Sequence, residues 1–405
     1  MRDMDIKYAK LLLTKCLSFN NTDTLLIDYV THEQDDFVKT VIEVAKSMGV
    51  RNIELSCNDV DEVRNYLNNT NVEDIKLNPI IDKSKWDEVS KKHGCILHIN
   101  TFIPNSMKDV DKEKIGKMNQ IVAPTIRYYC ANNKYNFPWV ICAYPNQRWA
   151  DYLFPNDKDS YQKLYNYIMQ MCMIDTKDPN KEWDLYIKRL NEYKNKLDSL
   201  NIRKLTYKND LGTDFEIGFP NDYKWLNLDK KDNYGSPIIV NMPSYEVFTT
   251  PDYKTANGIV YNSRPLIFRN NIIDGFYIEF KDGNAINYKA KIGDEHLKFI
   301  IENFKNSNHL GEVALVDNNS PISNTGIVFY NTLFDENASC HLALGRGNPA
   351  IIPNYKDLTS EELEEIGINN SNIHLDFMIG TSDLNITAET ANQKKLVLKN
   401  GNFNL

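Results

Sequence analysis

Apolar residues follow two different rhythms along this chain. In the first part, residues 5–17 (DIKYAKLLLTKCL), 35–49 (DDFVKTVIEVAKSMG), 161–174 (YQKLYNYIMQMCMI) and 182–200 return to an apolar side chain every three or four positions, which predicts helices. The second of these ends on Gly49, a helix stop, and the last carries enough charge to be a surface or connecting helix. Between them TLLIDYV (24–30), NIELSCN (52–58), GCILHIN (94–100) and PWVICAYP (138–145) are short unbroken apolar runs, the mark of strands buried on both faces. Strand, helix and strand in that order make a βαβ unit with a right-handed crossover. From residue 201 the runs become strand-like and are punctuated by Gly, Asn-Asn and Asp-Gly turns: RKLTYKND, TDFEIGF, PIIVNMP, GIVYNS, EVALVD and HLDFMIG. FYIEFKDGNAINYKA predicts a hairpin turning at Asp282-Gly283. The expected fold is an α/β domain over 1–200 and an α+β, strand-rich domain over 201–405 that carries the candidate chemistry.

That chemistry is a break in the apolar pattern. In NIHLDFMIG a strand of period two turns His374 and Asp376 to one face and buries Leu375 and Phe377 on the other. His341 likewise interrupts the apolar stretch SCHLALG, Glu312 interrupts HLGEVALVD, and Glu246 interrupts NMPSYEVFTTP. A lone polar group in such a stretch needs a partner, since leaving it unpaired costs about 1–3 kcal/mol. A core histidine bonded to the backbone, or a glutamate capping a turn, meets that need one residue at a time. Taken together, two imidazoles and three carboxylates are the donor types that suit zinc, cobalt or manganese. Two divalent ions bring four positive charges, which three carboxylates and one bridging hydroxide cancel, so such a set forms a near-neutral dinuclear site. Paired ions of this kind hydrolyse peptide and phosphate bonds.

The other five histidines add little. His32, His93, His296 and His309 lie in polar surroundings that predict solvated side chains, and His98 sits on a strand with no carboxylate near it in sequence. His32-Glu33 has Asp36 where a zincin helix needs its second histidine. Gly345-Arg346-Gly347-Asn348-Pro349-Ala350 mimics a dinucleotide fingerprint, but Pro349 and Pro353 forbid the long helix it requires. There is no nucleophile elbow and no phosphate-binding Walker loop.

Length and composition narrow the class. A chain of 405 residues predicts two domains. With 42% hydrophobic and 25% charged residues it is globular, and a net charge of −8 argues against nucleic acid as a partner. No run reaches the ~18–20 apolar residues of a membrane helix, and the first residues lack a cleavable signal pattern, so a cytoplasmic location is expected. Seven scattered cysteines without a CxxC pair predict reduced, mostly buried thiols, Cys340 among them facing away from its neighbour His341.

Four blocks in order, EVFTTPD (246–252), GEVALVDNNSPISNTG (311–326), FYNTLFDENASCHLALGRG (329–347) and SNIHLDFMIGTSDL (371–384), resemble the thermophilic metalloprotease family of aminopeptidases. YAKLLL near the start and PWVICAYPNQRWADYLFP (138–155) are similar to that family too, so the resemblance covers most of the chain. It implies a metal-dependent aminopeptidase acting on peptides, two divalent ions held by Glu246, Glu312, His341, His374 and Asp376, and Glu312 bridging the ions or activating water. It also implies a homodimer with an enclosed active site. One position departs: where the family usually places a tyrosine seven residues after the histidine matching His341, this chain has Asn348, with Tyr355 as a candidate substitute. An amide is a weaker donor to an oxyanion and a poor metal ligand. Asn348 therefore keeps a rival reading open, a catalytically weak or silent relative that binds peptides or metal. Metal-dependent phosphoester hydrolysis is a further alternative, with only Arg346 as a basic residue close by in sequence.

Overall fold

The computed structural model describes residues 2–19, 24–91, 94–130, 137–231, 235–268 and 271–405. His93 falls outside them, as does the Cys130 side chain. The chain divides into two compact units, Met1–Leu185 with Asp229–Pro243, and Tyr186–Leu228 with Ser244–Leu405.

The first unit is α/β. Its four anticipated strands form at Thr24–Tyr29, Asn52–Cys57, Cys95–Asn100 and Trp139–Ala143, all parallel. Asp35–Ser47 is the crossover helix between the first two; it buries Phe37, Val38, Val41, Val44 and Ala45. A fifth strand, Asn241–Met242, joins parallel to Trp139–Ala143. A single cut at residue 200 would assign PIIVNMP to the second domain, yet its last part belongs to this sheet, because backbone pairing across a sheet takes no account of sequence distance. One face of the sheet is packed by a cluster that includes Leu26, Ile96, Val63, Leu67, Trp86 and Val89. Helices at Val60–Asn68, Lys83–Lys91 and Lys112–Cys130 surround it and had no clear signature beforehand. Among the described residues no helix is long and apolar enough to cross a membrane.

The second unit is strand-rich and antiparallel. An eight-stranded sheet includes the anticipated hairpin, Tyr277–Lys281 with Asn284–Lys289. Asp282 and Gly283 at its tip have φ of 47° and 81°, the left-handed pair that a two-residue hairpin turn needs. The sheet that matters for chemistry has four strands in the order Val247–Thr249, Leu310–Leu315, His341–Gly345 and His374–Met378. Val313, Leu342 and Phe377 stand in one row across it, each fully buried. Phe377 meets Phe276 at a ring separation of 5.8 Å.

Candidate metal centre

The alternation that buries Val313, Leu342 and Phe377 puts every predicted ligand on the opposite face. Glu312 lies across from Ala343 and Ala343 across from Asp376, while His341 pairs with Ala314 and Gly345 with His374. Phe248 pairs with Ala314, so Glu246, two residues earlier, joins the same face. Between these polar groups the floor is Ala314, Ala343 and Gly345, small enough to leave a basin above the strands. Gly345 has φ of 94°, and a Cβ there would stand 2.2 Å from the Ile373 carbonyl oxygen, so no other residue fits.

Both imidazoles are aimed by the backbone. His341 Nδ1–H donates to the Ser339 carbonyl at 3.2 Å, and His374 Nδ1–H donates to the Arg346 carbonyl at 2.7 Å. Each Nε2 is thereby left to face the carboxylates, the orientation that metal-bound histidines take from their outer partners. His341 Nε2 stands 3.2 Å from Glu246 Oε2 and 3.5 Å from Glu312 Oε1. His374 Nε2 stands 3.7 Å from Glu312 Oε2 and 3.3 Å from Asp376 Oδ1. Two groups of donors result, Glu246, Glu312 and His341, and Glu312, His374 and Asp376, each with its ligand atoms within 4.8 Å of one another. Glu312 belongs to both and gives one oxygen to each.

Electrostatics shows what this basin attracts. Burial opposes charge on the His341 imidazole, whose side chain is 1% exposed, but Glu246 and Glu312 outweigh it and raise the pKa well above 6.5. His374 is the open edge at 29% exposure; there too burial is overcome, by Asp376 and then Glu312, and the pKa is pushed up to about 10. Burial, then the charges of Asp376 and Glu246, pushes Glu312 up against the pull of His341 and His374. Asp376 is drawn down because His374 outweighs its burial. The acids demand positive charge, and protonated imidazoles supply it when nothing else does. Yet Glu246 Oε2 and Asp376 Oδ1 are buried without a hydrogen-bond partner, although an imidazole nitrogen lies so near each. The distance suits a bond, yet none forms; what remains is ligand atoms gathered within 4.8 Å of one another. Donors that share a cation are disposed in this way, and the residues fit divalent ions.

Three other positions complete the account. Glu336 was not anticipated. It lies on a single turn, Glu336–Ala338, five residues before His341, and burial together with the charges of Asp376 and Glu246 pushes its carboxyl well above the ordinary range. Asn337 fixes this turn: its Oδ1 accepts from Tyr245 N at 2.6 Å and its Nδ2 donates to the Leu333 carbonyl at 3.1 Å. An acid five residues ahead of a candidate ligand was the available signal. Asn348 caps a turn, its Oδ1 accepting from Ala350 N at 3.1 Å, and Tyr355 packs against the Ile351, Ile352 and Ile368 cluster. Cys340 Sγ contacts the Val316 backbone, as a strand neighbour of His341 facing away should.

His98, with no carboxylate near it in sequence, has its Nδ1 at 2.6 Å from Asp28 Oδ2, brought there from 70 residues away by the parallel sheet. His309, expected to be solvated, is instead half-buried, its Nδ1–H donating to the Gly283 carbonyl at 2.8 Å. His32 is exposed and lies beside Cys57 and Asp59. Asp59 is occupied there, accepting from the backbone N–H groups of Asp61, Glu62 and His32.

Known proteins share this organisation. The chain is 32% identical over 403 residues to Aminopeptidase 2 of Geobacillus stearothermophilus, covering 98% of this chain and 97% of that one. It is 31% identical over 374 residues to Aminopeptidase AmpS of Bacillus subtilis, covering 91% and 90%. The solved structure of wild-type AmpT from Thermus thermophilus has the same fold, with a TM-score of 0.89 at 24% identity over 99% of each chain. Residues 3–403 match one family from end to end, helical sheet and strand-rich unit alike, and the chain accordingly belongs to the thermophilic metalloprotease (M29) family and is a metal-dependent peptidase.

Proposed function

We propose that this chain is a metallo-aminopeptidase that removes N-terminal residues from peptides with two divalent cations, one held by Glu246, Glu312 and His341 and the other by Glu312, His374 and Asp376. The observation that carries this reading is the division of Glu312, whose two oxygens face two different imidazoles at 3.5 and 3.7 Å. Nitrogen and oxygen donors without thiolate suit zinc, cobalt or manganese. Bound cations supply Lewis-acid polarisation of the scissile carbonyl and a water nucleophile at neutral pH. With both Glu312 oxygens engaged, Glu336 is the acid left to move a proton, taking it on its carboxylate from the attacking water and handing it to the leaving amine nitrogen. A carboxylate of the same basin would hold the substrate's free α-amino group, which would make the enzyme an exopeptidase. The resemblance to the family supports a homodimer, and the first residues, without a cleavable signal pattern, support a cytoplasmic location. Asn348, the basis of the silent-relative reading, has its side-chain oxygen on a turn rather than in the donor set.

The test is metal content after dialysis, paired with hydrolysis of leucyl and arginyl amides. Two equivalents per chain and turnover that stops with chelator and returns with metal are expected. Metal without turnover would install the silent binding protein instead, and a single equivalent would end the dinuclear assignment.

A further inference from the structure

The parallel sheet of the first unit carries a cavity for which peptide hydrolysis has no use. Its first four strands lie in the order Asn52–Cys57, Thr24–Tyr29, Cys95–Asn100, Trp139–Ala143. The direction of winding therefore reverses between Thr24–Tyr29 and Cys95–Asn100. In open parallel sheets, ligands settle at such a reversal, by the carboxyl ends of the strands. Asp28 and His98 are register partners across that gap, in the later halves of their strands, and both line a cavity of about 320 Å³. Val63, Ile80, Trp86, Ile96, Trp139 and Val140 contribute most of its apolar wall.

The polar groups of this wall are drawn together by hydrogen bonds. Asp28, 3% exposed, accepts from His98 Nδ1 at 2.6 Å and from Asn58 Nδ2 at 2.7 Å. A carboxylate only accepts, so the His98 Nδ1 carries a proton and Nε2 is the ring nitrogen turned away from Asp28. Among the described residues no hydrogen bond ends on that nitrogen. The void holds about ten times one water's share of the liquid, roughly 30 Å³, but its wall gives water few partners. A zwitterion such as a free amino acid would bury a charged end unpaired, since both Asp28 oxygens are already engaged. A guest without any polar atom would leave Nε2 unmatched.

We propose that this cavity binds a small neutral molecule of phenol size, with an apolar body and a hydroxyl that pairs with His98 Nε2. Asp28 fixes the orientation of that nitrogen by holding the opposite N–H, as the carboxylate does in a hydroxyl–imidazole–carboxylate chain. The site is separate from the donor set of the second unit and stands whether or not the peptidase reading does.

The full-length, metal-loaded chain is titrated with p-cresol, toluene and p-toluate, three probes of one shape that differ in the polar group. Met107 lines the cavity, so its ε-methyl NMR signal reports occupancy at this place. The p-cresol should shift that signal and bind about tenfold more tightly than toluene, the worth of one neutral hydrogen bond, with p-toluate weakest. His98→Leu should erase the p-cresol advantage while toluene still binds. Equal affinity for p-cresol and toluene in the unaltered chain, tightest binding of p-toluate, or a Met107 methyl that no probe moves would each overturn the proposal. The ranking in the unaltered chain decides the matter even if the variant does not fold.

Discussion

Replacing Glu312 by glutamine keeps the shape of the residue and removes the one charge that both donor groups share. Its oxygens stand 3.5 Å from His341 Nε2 and 3.7 Å from His374 Nε2, so a cation seated with either imidazole lies within a few ångströms of it. A unit pair about 4 Å apart at an effective dielectric of about 20 interacts by roughly 4 kcal/mol. If about half of that is offset by rehydration of the carboxylate, each ion loses about 2 kcal/mol, close to 30-fold in dissociation constant. At a free cation concentration about ten times the original dissociation constant, occupancy falls from about 90% to about 25%, and it falls for both ions together. Equilibrium dialysis against buffered zinc, with metal counted by mass spectrometry, reads this directly. Glu246→Gln and Asp376→Asn provide the contrast, because each touches one group and should bring the count from two toward one. A Glu312→Gln chain that loses one ion and holds the other at its original affinity refutes the shared glutamate.

Glu336→Gln should keep the metal content and lower the turnover number by about 100- to 10,000-fold, the usual contribution of a positioned proton carrier; loss of metal in this variant would make Glu336 a ligand instead. Phe377→Ala removes a fully buried ring from the apolar face behind the ligands and should cost about 3–5 kcal/mol, lowering the melting midpoint of the second unit by about 10 °C. An unchanged midpoint would mean that this face is not core. The pH dependence of the chelated chain follows from the imidazoles. His374 is raised from 6.5 to about 10, so the stability it contributes is complete below 6.5 and drains away as pH climbs toward 10. Glu312 and Glu336 are raised as well, so each costs stability as pH climbs above 4.5 toward its folded value. Thermal melts in chelator at about pH 6 and about pH 9 should show the lower midpoint at the higher pH, and added metal should restore it, because cations replace the protons that leave. A chelated chain that gains stability over this interval contradicts the charge balance of the basin.

What could be read beforehand divides along a physical line. Strands with unbroken apolar runs, the amphipathic helix Asp35–Ser47 and the Asp282-Gly283 turn are local facts, set by side-chain period and backbone preference, and they form where the sequence puts them. The five candidate residues that the fold gathers stood out for a related reason: each breaks an apolar stretch, and burying a polar group without purpose is costly enough that the break is informative. Period two then places His374 with Asp376, but only the register between strands places Glu312 opposite Ala343 and Ala343 opposite Asp376. That register is a long-range quantity with no local signature. Glu336 was passed over because its turn has no period at all. Asp28 and His98 show the limit most plainly, since neither residue is unusual on its own strand and their meeting depends on which strands become neighbours. A strand such as Asn241–Met242, two residues long and drawn to the first unit's sheet across almost a hundred residues of chain, is fixed by the same non-local pairing. Local chemistry thus announces which residues need partners, and topology decides which partners they find.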